Sequence, residues 1–143
     1  MREASSVRRA WRQLLADARL AELAAAAKGV PIHLVGGAVR DAGLGHTVHD
    51  LDVVVAEAGP AIAGRLAALT GARLVALGGE RFGALRLVTG DDHVDIWDLQ
   101  GSPLLPDLWR RDFTVNAIAL ALPDGAIVDP TGGEADLVGR RLR

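Results

Sequence analysis

The sequence predicts a single mixed α/β domain, with about four or five short strands and helices around them. The chain has 143 residues, which suits one hydrophobic core. Short apolar segments of strand length alternate with segments of helical periodicity, and glycine or proline separates most of them. No repeat or low-complexity linker divides the chain. We therefore expect residues 1–143 to form one domain.

The first half of the chain predicts an N-terminal helix followed by alternating strands and helices. Apolar side chains recur at near-helical spacing from residue 5 to about residue 27, and serines can cap the start. We expect this helix to make up an N-terminal unit at 1–29. The next predicted elements are a strand at 32–35, one or two helical turns within 38–45, a buried strand at 50–56 and an amphipathic helix at 60–71.

The second half is richer in strand patterns. A Pro-Asp-Gly turn at 123–125 predicts a return strand directly after it, at 126–130. Residues 114–122 are compatible with either a helix or an extended segment. The remaining predicted elements are strands at 72–77, 83–89 and 93–99 and short helices within 103–112 and 132–143.

Composition excludes several classes of protein. The formal net charge is -2, so a dedicated duplex binder, which is usually basic, is not indicated, and any contact with nucleic acid must be local. The sequence contains no cysteine, which excludes disulfides and thiolate metal sites and fits a reducing cytoplasm. We find no secretory signal and no apolar run of the roughly 18 residues that a membrane span needs. We therefore expect a cytoplasmic protein without a membrane partner.

A double glycine follows the strand at 32–35. Gly36 and Gly37 carry no side chain, so a phosphate can approach the backbone N–H groups closely where the chain enters a helix. Arg40, about one turn later, can reach the same anion. The alternative is a tight strand-to-helix turn in which Arg40 forms a local ion pair with Asp41.

An Asp-x-Asp pair stands at the start of the strand at 50–56. Residues i and i+2 of a strand project from the same face, so Asp50 and Asp52 are expected side by side. Two adjacent carboxylates repel each other unless a cation bridges them, and Mg²⁺ prefers such oxygen ligands. The alternative is two solvated aspartates at a strand end.

A third carboxylate would complete such a metal site. Asp95 is the best candidate because it lies in a strand expected in the same sheet. His46 and His49 precede the aspartate pair, but we expect the carboxylates, and not these histidines, to bind the metal. The competitors of Asp95 are Asp91, Asp92 and Asp98.

The segment Arg-Arg-Asp-Phe-Thr-Val-Asn-Ala at 110–117 combines groups that suit a nucleotide. The fork of an arginine matches a phosphate, and an aspartate or asparagine can hydrogen bond to ribose hydroxyls. The alternative is a capped helix in which Phe113 anchors the core and the arginines form ion pairs.

Taken together, these motifs and their order resemble the head domain of the class II poly(A) polymerase / tRNA CCA-adding nucleotidyltransferase family. An Arg-Phe-Gly segment at 81–83 and the ending Asp-Pro-Thr-Gly-Gly-Glu-Ala-Asp-Leu-Val-Gly-Arg-Arg-Leu-Arg contribute to the resemblance, which covers about 32–143. It implies a nucleotidyltransferase palm-like mixed sheet flanked by helices, within a catalytic head at 32–143.

The resemblance also implies roles for single residues. It implies that Gly37, with Gly36 beside it, and Arg40 bind the nucleoside triphosphate. It implies that Asp50 and Asp52 bind the catalytic Mg²⁺ ions. It implies that Asp95 assists catalysis and that Arg111 contacts the nucleotide. It also implies that Asp112 and Asn116 support the ribose or the local structure.

The implied activity is Mg²⁺-dependent addition of nucleotides from ATP or CTP to an RNA 3′ end, as in tRNA CCA addition or polyadenylation. Such proteins continue into a neck, body and tail, and the neck carries a Glu-Asp-x-x-Arg motif that this sequence lacks. We therefore expect these parts to be absent, and RNA binding to need a partner protein or further C-terminal domains. The alternative is a catalytically incomplete, head-only module for nucleotide binding or protein interaction.

Overall fold

The computed structural model describes residues 2–78 and 84–143 of the protein. The Arg-Phe-Gly segment at 81–83 therefore lies outside the described residues. No helix in these two ranges is both long enough and apolar enough to cross a membrane. The helices are α1 (Arg2–Leu14), α2 (Ala18–Ala27), α3 (Gly37–Gly43), α4 (Gly59–Thr70), α5 (Leu104–Trp109), α6 (Gly133–Val138) and a 3₁₀ turn at Thr114–Asn116.

The strands form one mixed sheet. They are β1 (Ile32–Val35), β2 (Leu51–Val55), β3 (Arg73–Leu77), β4 (Ala84–Thr89), β5 (Asp92–Asp98), β6 (Ala119–Ala121) and β7 (Ile127–Val128). Their order across the sheet is β3-β4-β5-β2-β1-β6-β7. Strands β2 and β5 run parallel, whereas the other pairings among the described residues are antiparallel. The expected mixed sheet flanked by helices is confirmed.

The expectation of four or five strands was too low, since the sheet has seven strands within the described residues. The segment at 114–122, which the sequence left undecided, divides into a 3₁₀ turn and strand β6. The Pro-Asp-Gly turn then returns the chain as β7, only two residues long. Strands this short carry little periodicity, so their pairing decides their structure: β6 pairs with β1, and β7 pairs with β6.

The prediction of one helix within 1–29 was wrong, because the segment forms two helices, α1 and α2. Asp17 is extended between them, and its side chain accepts a hydrogen bond from the backbone N–H of Arg19. Aspartate competes for backbone donors in this way and therefore starts a new helix. The helix also begins before the serines that we expected to cap it.

The two faces of the sheet differ. Leu51, Val53 and Val55 of β2 point into the main core, which the N-terminal helices and α4 cover. Val54 packs in a smaller cluster on the opposite face, with Leu108 of α5. Because side chains alternate along a strand, Asp52 belongs to this second face, which α5 covers only in part.

Trp11 connects α1 to the domain. Its side chain is 2% exposed, and its indole N–H donates to the carbonyl of Val39 at 2.8 Å. Trp11→Ala should lower the free energy of unfolding by about 3–5 kcal/mol, since it leaves a cavity and an unpaired carbonyl. Urea denaturation would measure this, with Trp109→Ala as the matched control. Trp109 is 62% exposed, so equal losses in both variants would contradict the packing of α1.

Candidate active site

The turn between β1 and α3 is built on glycine. Gly36 has φ 72° and ψ −143°, which residues with a side chain rarely adopt. A Cβ atom at this position would lie 3.6 Å from Arg111 Nη1 and 3.6 Å from Asp52 Oδ2. The expected glycine turn, the aspartate of β2 and the second arginine of the 110–117 segment therefore meet at one place.

Asp52 faces Asp95 across the parallel pairing of β2 and β5. Burial raises the pKa of the Asp52 carboxyl, and repulsion by Asp95 raises this pKa further. A hydrogen bond from Trp97 and the positive charge of Arg111 oppose the shift without cancelling it. The pair thus forms a local excess of negative charge that a cation would relieve.

Asp95 is held in a fixed orientation. It is 6% exposed, and Arg86 on β4 binds both of its oxygens, each at 2.8 Å. A carboxylate offers about four acceptor positions, so two bonds to Arg86 leave acceptor capacity for another ligand. Arg86 therefore orients Asp95 and still leaves acceptor positions on its carboxylate free for another ligand.

Asp50 does not lie within the strand as we expected. It precedes β2 and is exposed, and the repulsion that bears on Asp52 comes from Asp95 and not from Asp50. Its Oδ1 accepts from the backbone N–H of His93 and lies 3.1 Å from His93 Nδ1. His93 Nε2 in turn lies 3.7 Å from Asp95 Oδ2, so this histidine joins the two carboxylates.

Arg111 and Trp97 border a pocket beside Asp52. The pocket has a volume of ≈ 360 Å³, and Asp107 and Arg110 complete its lining. Asp107 is buried and accepts from Arg110 at 2.5 Å and from Arg111 at 3.0 Å. Within the described residues, Arg111 Nε is buried and has no hydrogen-bond partner. The arginine thus retains donor capacity next to the carboxylates.

Arg40 takes part in both arrangements that the sequence allowed. It forms the local ion pair with Asp41 at 2.8 Å, and a Cβ atom on Gly37 would lie 3.3 Å from its guanidinium. Arg40 Nη1 also donates to Asn116 Oδ1 at 2.9 Å. The guanidinium therefore lies over the glycine turn.

Asp112 and Asn116 form the far end of the same hydrogen-bonded network. Asn116 Nδ2 donates to Asp112 Oδ1 at 3.2 Å. This hydrogen bond, and to a smaller extent the one from the backbone N–H of Phe113, lowers the pKa of the Asp112 carboxyl. Phe113 is 37% exposed, so the alternative in which it anchors the core does not hold. The network connects the 110–117 segment to the glycine turn through Arg40.

The other candidates for a metal site have separate partners. Asp98 accepts from Gly59 N at the start of α4, and Asp92 lies 3.4 Å from His49. His46 and Asp91 are exposed. Across residues 2–78 and 84–143, no three histidine, cysteine or acidic side chains converge into a ready metal cage.

Mg²⁺ nevertheless fits the aspartates at the site. It commonly takes one or two carboxylates and obtains its other ligands from substrate phosphates and water. Asp52 is destabilised as an anion by burial and by Asp95, and Asp50 is open to solvent, so both offer hard oxygen ligands.

The family model of the poly(A) polymerase head domain matches residues 32–103 and 100–143. The chain belongs to this family. A CC-adding tRNA nucleotidyltransferase of Geobacter sulfurreducens is 39% identical over 110 residues, which are 76% of this chain and 26% of that protein. An A-adding tRNA nucleotidyltransferase of Deinococcus radiodurans is 47% identical over 111 residues, 77% of this chain and 24% of that protein.

Solved structures of the family share the fold. A tRNA-processing enzyme in an apo form superposes with a TM-score of 0.78 at 33% identity, covering 87% of this chain and 35% of that one. A tRNA nucleotidyltransferase in complex with a primer tRNA and an incoming ATP analog gives a TM-score of 0.72 at 34% identity, covering 80% and 36%. This chain thus spans about a quarter of the length of the curated relatives it matches.

The sequence did not reveal every residue of the head-domain site. Arg86, Asp107, His93 and Trp97 were missed because each reaches the site through strand register or helix packing. A signal existed for Arg86 alone, since a basic residue in a strand next to Asp95 can pair with it across the sheet.

Replacement of Asp52 should reveal the cost of burying its charge and of placing that charge near Asp95. Since the pKa of Asp52 is raised, its ionised form costs folding free energy, and Asp52→Asn should raise the Tm of the metal-free protein at neutral pH. The gain should shrink as the pH falls through the raised pKa and vanish below about 3.9, the ordinary value, because the wild-type carboxyl is then protonated in both states. Calorimetry against pH measures this.

Asp91→Asn is the control for the same experiment, because Asp91 is exposed. Equal Tm changes in the two variants, or a lower Tm for Asp52→Asn at neutral pH, would contradict a raised pKa of the Asp52 carboxyl.

Proposed function

We propose that this protein is the catalytic head of an RNA nucleotidyltransferase that adds nucleotides from ATP or CTP to an RNA 3′ end, with tRNA as the acceptor. The observation that carries the proposal is the approach of Asp52 and Arg111 to the glycine turn. Each side chain lies 3.6 Å from the point that a Cβ atom on Gly36 would occupy. A phosphate-sized turn, a carboxylate and a cation are thereby brought together on the open face of the sheet.

The names of relatives support the choice of substrates. Solved CCA-adding enzymes with TM-scores of 0.76 and 0.75 to this chain are described in complex with ATP and with CTP. A Thermotoga maritima CCA-adding enzyme with a TM-score of 0.75 is described in complex with tRNA. We extend these substrates to this chain as part of the proposal, and propose the cytoplasm as its location because it contains no cysteine.

In the proposed reaction the RNA 3′-hydroxyl loses its proton to solvent and its oxygen forms a bond to the α-phosphorus. The bond from the α-phosphorus to the oxygen that bridges to the β-phosphate breaks, and its electron pair leaves with pyrophosphate. The backbone N–H groups at Gly36 and Gly37, together with Arg40 and Arg111, bind the charge of the triphosphate. The protein thus contributes mainly orientation and electrostatic stabilisation.

Asp50 and Asp52 are the residues that would hold Mg²⁺, with Asp95 assisting. When bound, Mg²⁺ supplies Lewis-acid stabilisation of phosphate charge and makes the attacking hydroxyl more acidic. Arg86 keeps Asp95 turned towards Asp52, and His93 keeps Asp50 beside them. Asp112 and Asn116 hold Arg40 over the glycine turn and offer polar groups for a ribose.

A transfer assay tests the proposal. The measurement is Mg²⁺-dependent incorporation of labelled ATP and CTP into tRNA that lacks its 3′ end, for wild type and for Asp50→Ala/Asp52→Ala. We expect incorporation by wild type and a loss of at least about 10²-fold in the double variant, because charge stabilisation of this kind is worth that much. No incorporation by wild type, despite triphosphate binding, would instead favour an incomplete head that needs a partner.

Arg111 should contribute more to substrate binding than its neighbour. Arg111→Ala should weaken triphosphate binding by about 10- to 100-fold, the value of a charge-assisted hydrogen bond or two. Arg110→Ala is the matched control, since Arg110 binds the same Asp107 but is 74% exposed, and we expect a change of less than about threefold. Titration with a labelled ATP analogue compares them, and equal losses would argue against the assignment of Arg111.

A further inference from the structure

Arg19 of α2 forms hydrogen bonds to the loop that leads into β2. Its Nη2 donates to the carbonyl of Val48 at 3.0 Å, and its Nη1 donates to the carbonyl of His49. These are the two residues directly before Asp50. A single guanidinium therefore fixes the backbone on the N-terminal side of Asp50, a catalytic candidate.

Arg19 is itself held in place. Asp17, the residue that starts α2, binds Nε and Nη2 of Arg19, the latter at 2.8 Å. Asp92 of β5 lies 4.0 Å from Nη1 and 3.4 Å from His49 Nδ1. The arginine thus connects a helix start, the loop and the edge of β5, and only 28% of its side chain is exposed.

The opposite side of Asp50 is held by β5. Its carboxylate accepts from the backbone N–H of His93 at 3.1 Å. Arg19 constrains the main chain just before Asp50, and His93 constrains the side chain. Without Arg19, the segment from His46 to Asp50, which is exposed except at Val48, would lose both of these hydrogen bonds.

We propose that Arg19 is a positioning residue that holds Asp50 in place for Mg²⁺ through its hydrogen bonds to the carbonyls of Val48 and His49. The proposal rests on the proposed function, which makes Asp50 a metal ligand. It also gives the N-terminal segment a part in the site, although the family match begins only at residue 32.

The direction in which metal affinity changes when Arg19 is replaced distinguishes a positioning role from a purely electrostatic one. Arg19 carries a positive charge close enough to interact with Asp50. Removal of a nearby positive charge should by itself favour a bound cation. Positioning predicts the reverse, since a displaced ligand binds a metal more weakly. Partners that orient metal ligands typically contribute about 10- to 100-fold in affinity.

The test compares Arg19→Ala, Arg19→Lys and Arg65→Ala by titration with Mn²⁺, followed by electron paramagnetic resonance of the free ion. Lysine keeps the charge but lacks the fork that reaches two carbonyls. Arg65 is the matched control because its Nε also donates to a helix carbonyl, that of Ala26, at 2.7 Å, away from the site. Circular dichroism establishes that each variant is folded.

We expect Arg19→Ala to weaken Mn²⁺ binding about tenfold, Arg19→Lys to weaken it by a smaller factor, and Arg65→Ala to leave it within about twofold of wild type. Hydrogen exchange of residues 46–50 should accelerate in both Arg19 variants. Unchanged or tighter Mn²⁺ binding in Arg19→Ala would overturn the proposal, as would full affinity in Arg19→Lys. Because Mn²⁺ binding needs no RNA, a wild type that binds Mn²⁺ but transfers no nucleotide would contradict the proposed function alone.

Discussion

The parallel pairing of β2 with β5 places Asp52 directly opposite Asp95, and most of the site follows from this register. A parallel pair needs a long crossover, which α4, β3 and β4 provide. The crossover brings β4 to the far side of β5, where Arg86 binds Asp95. One strand pairing thus fixes both the carboxylate pair and the cation that orients it.

The charges on the open face are compensated unequally. Asp107 has two arginines and Asp95 has Arg86, whereas Asp52 is partly buried with a net shift of its pKa towards protonation. Such an arrangement costs stability in the empty protein and is typical of a site that binds a cation. The glycine turn next to Asp52, where we propose that the triphosphate binds, adds no further negative charge.

The local patterns of the sequence were sufficient for much of the fold. The strand at 32–35, the helix after the double glycine and the helix at 60–71 agree with β1, α3 and α4 to within a few residues. The two-residue strand β7 and the break at Asp17 were harder, because pairing with β6 and a side-chain cap decide them. In both places specific hydrogen bonds outweigh intrinsic propensity.

Prediction of the site had the same limit. The spacing of Asp50 and Asp52 made them a pair, but β2 begins after Asp50, and the closest electrostatic partner of Asp52 is on another strand. Strand order cannot be read from the spacing of residues within one strand. The approach of Arg111 to Gly36 likewise depends on how α5 packs on the sheet, which the resemblance to a family anticipated and periodicity did not.

We propose that the carboxylates of β2 and β5 and the glycine turn form one site for a cation and a triphosphate. Nuclear magnetic resonance of the labelled protein with trace Mn²⁺ would test this arrangement, since the ion broadens nearby amide signals. We expect broadening at Gly36, Asp52 and Asp95 that disappears in Asp52→Asn, with the turn at 123–125 unaffected. Broadening centred elsewhere, or retained in full in that variant, would contradict it.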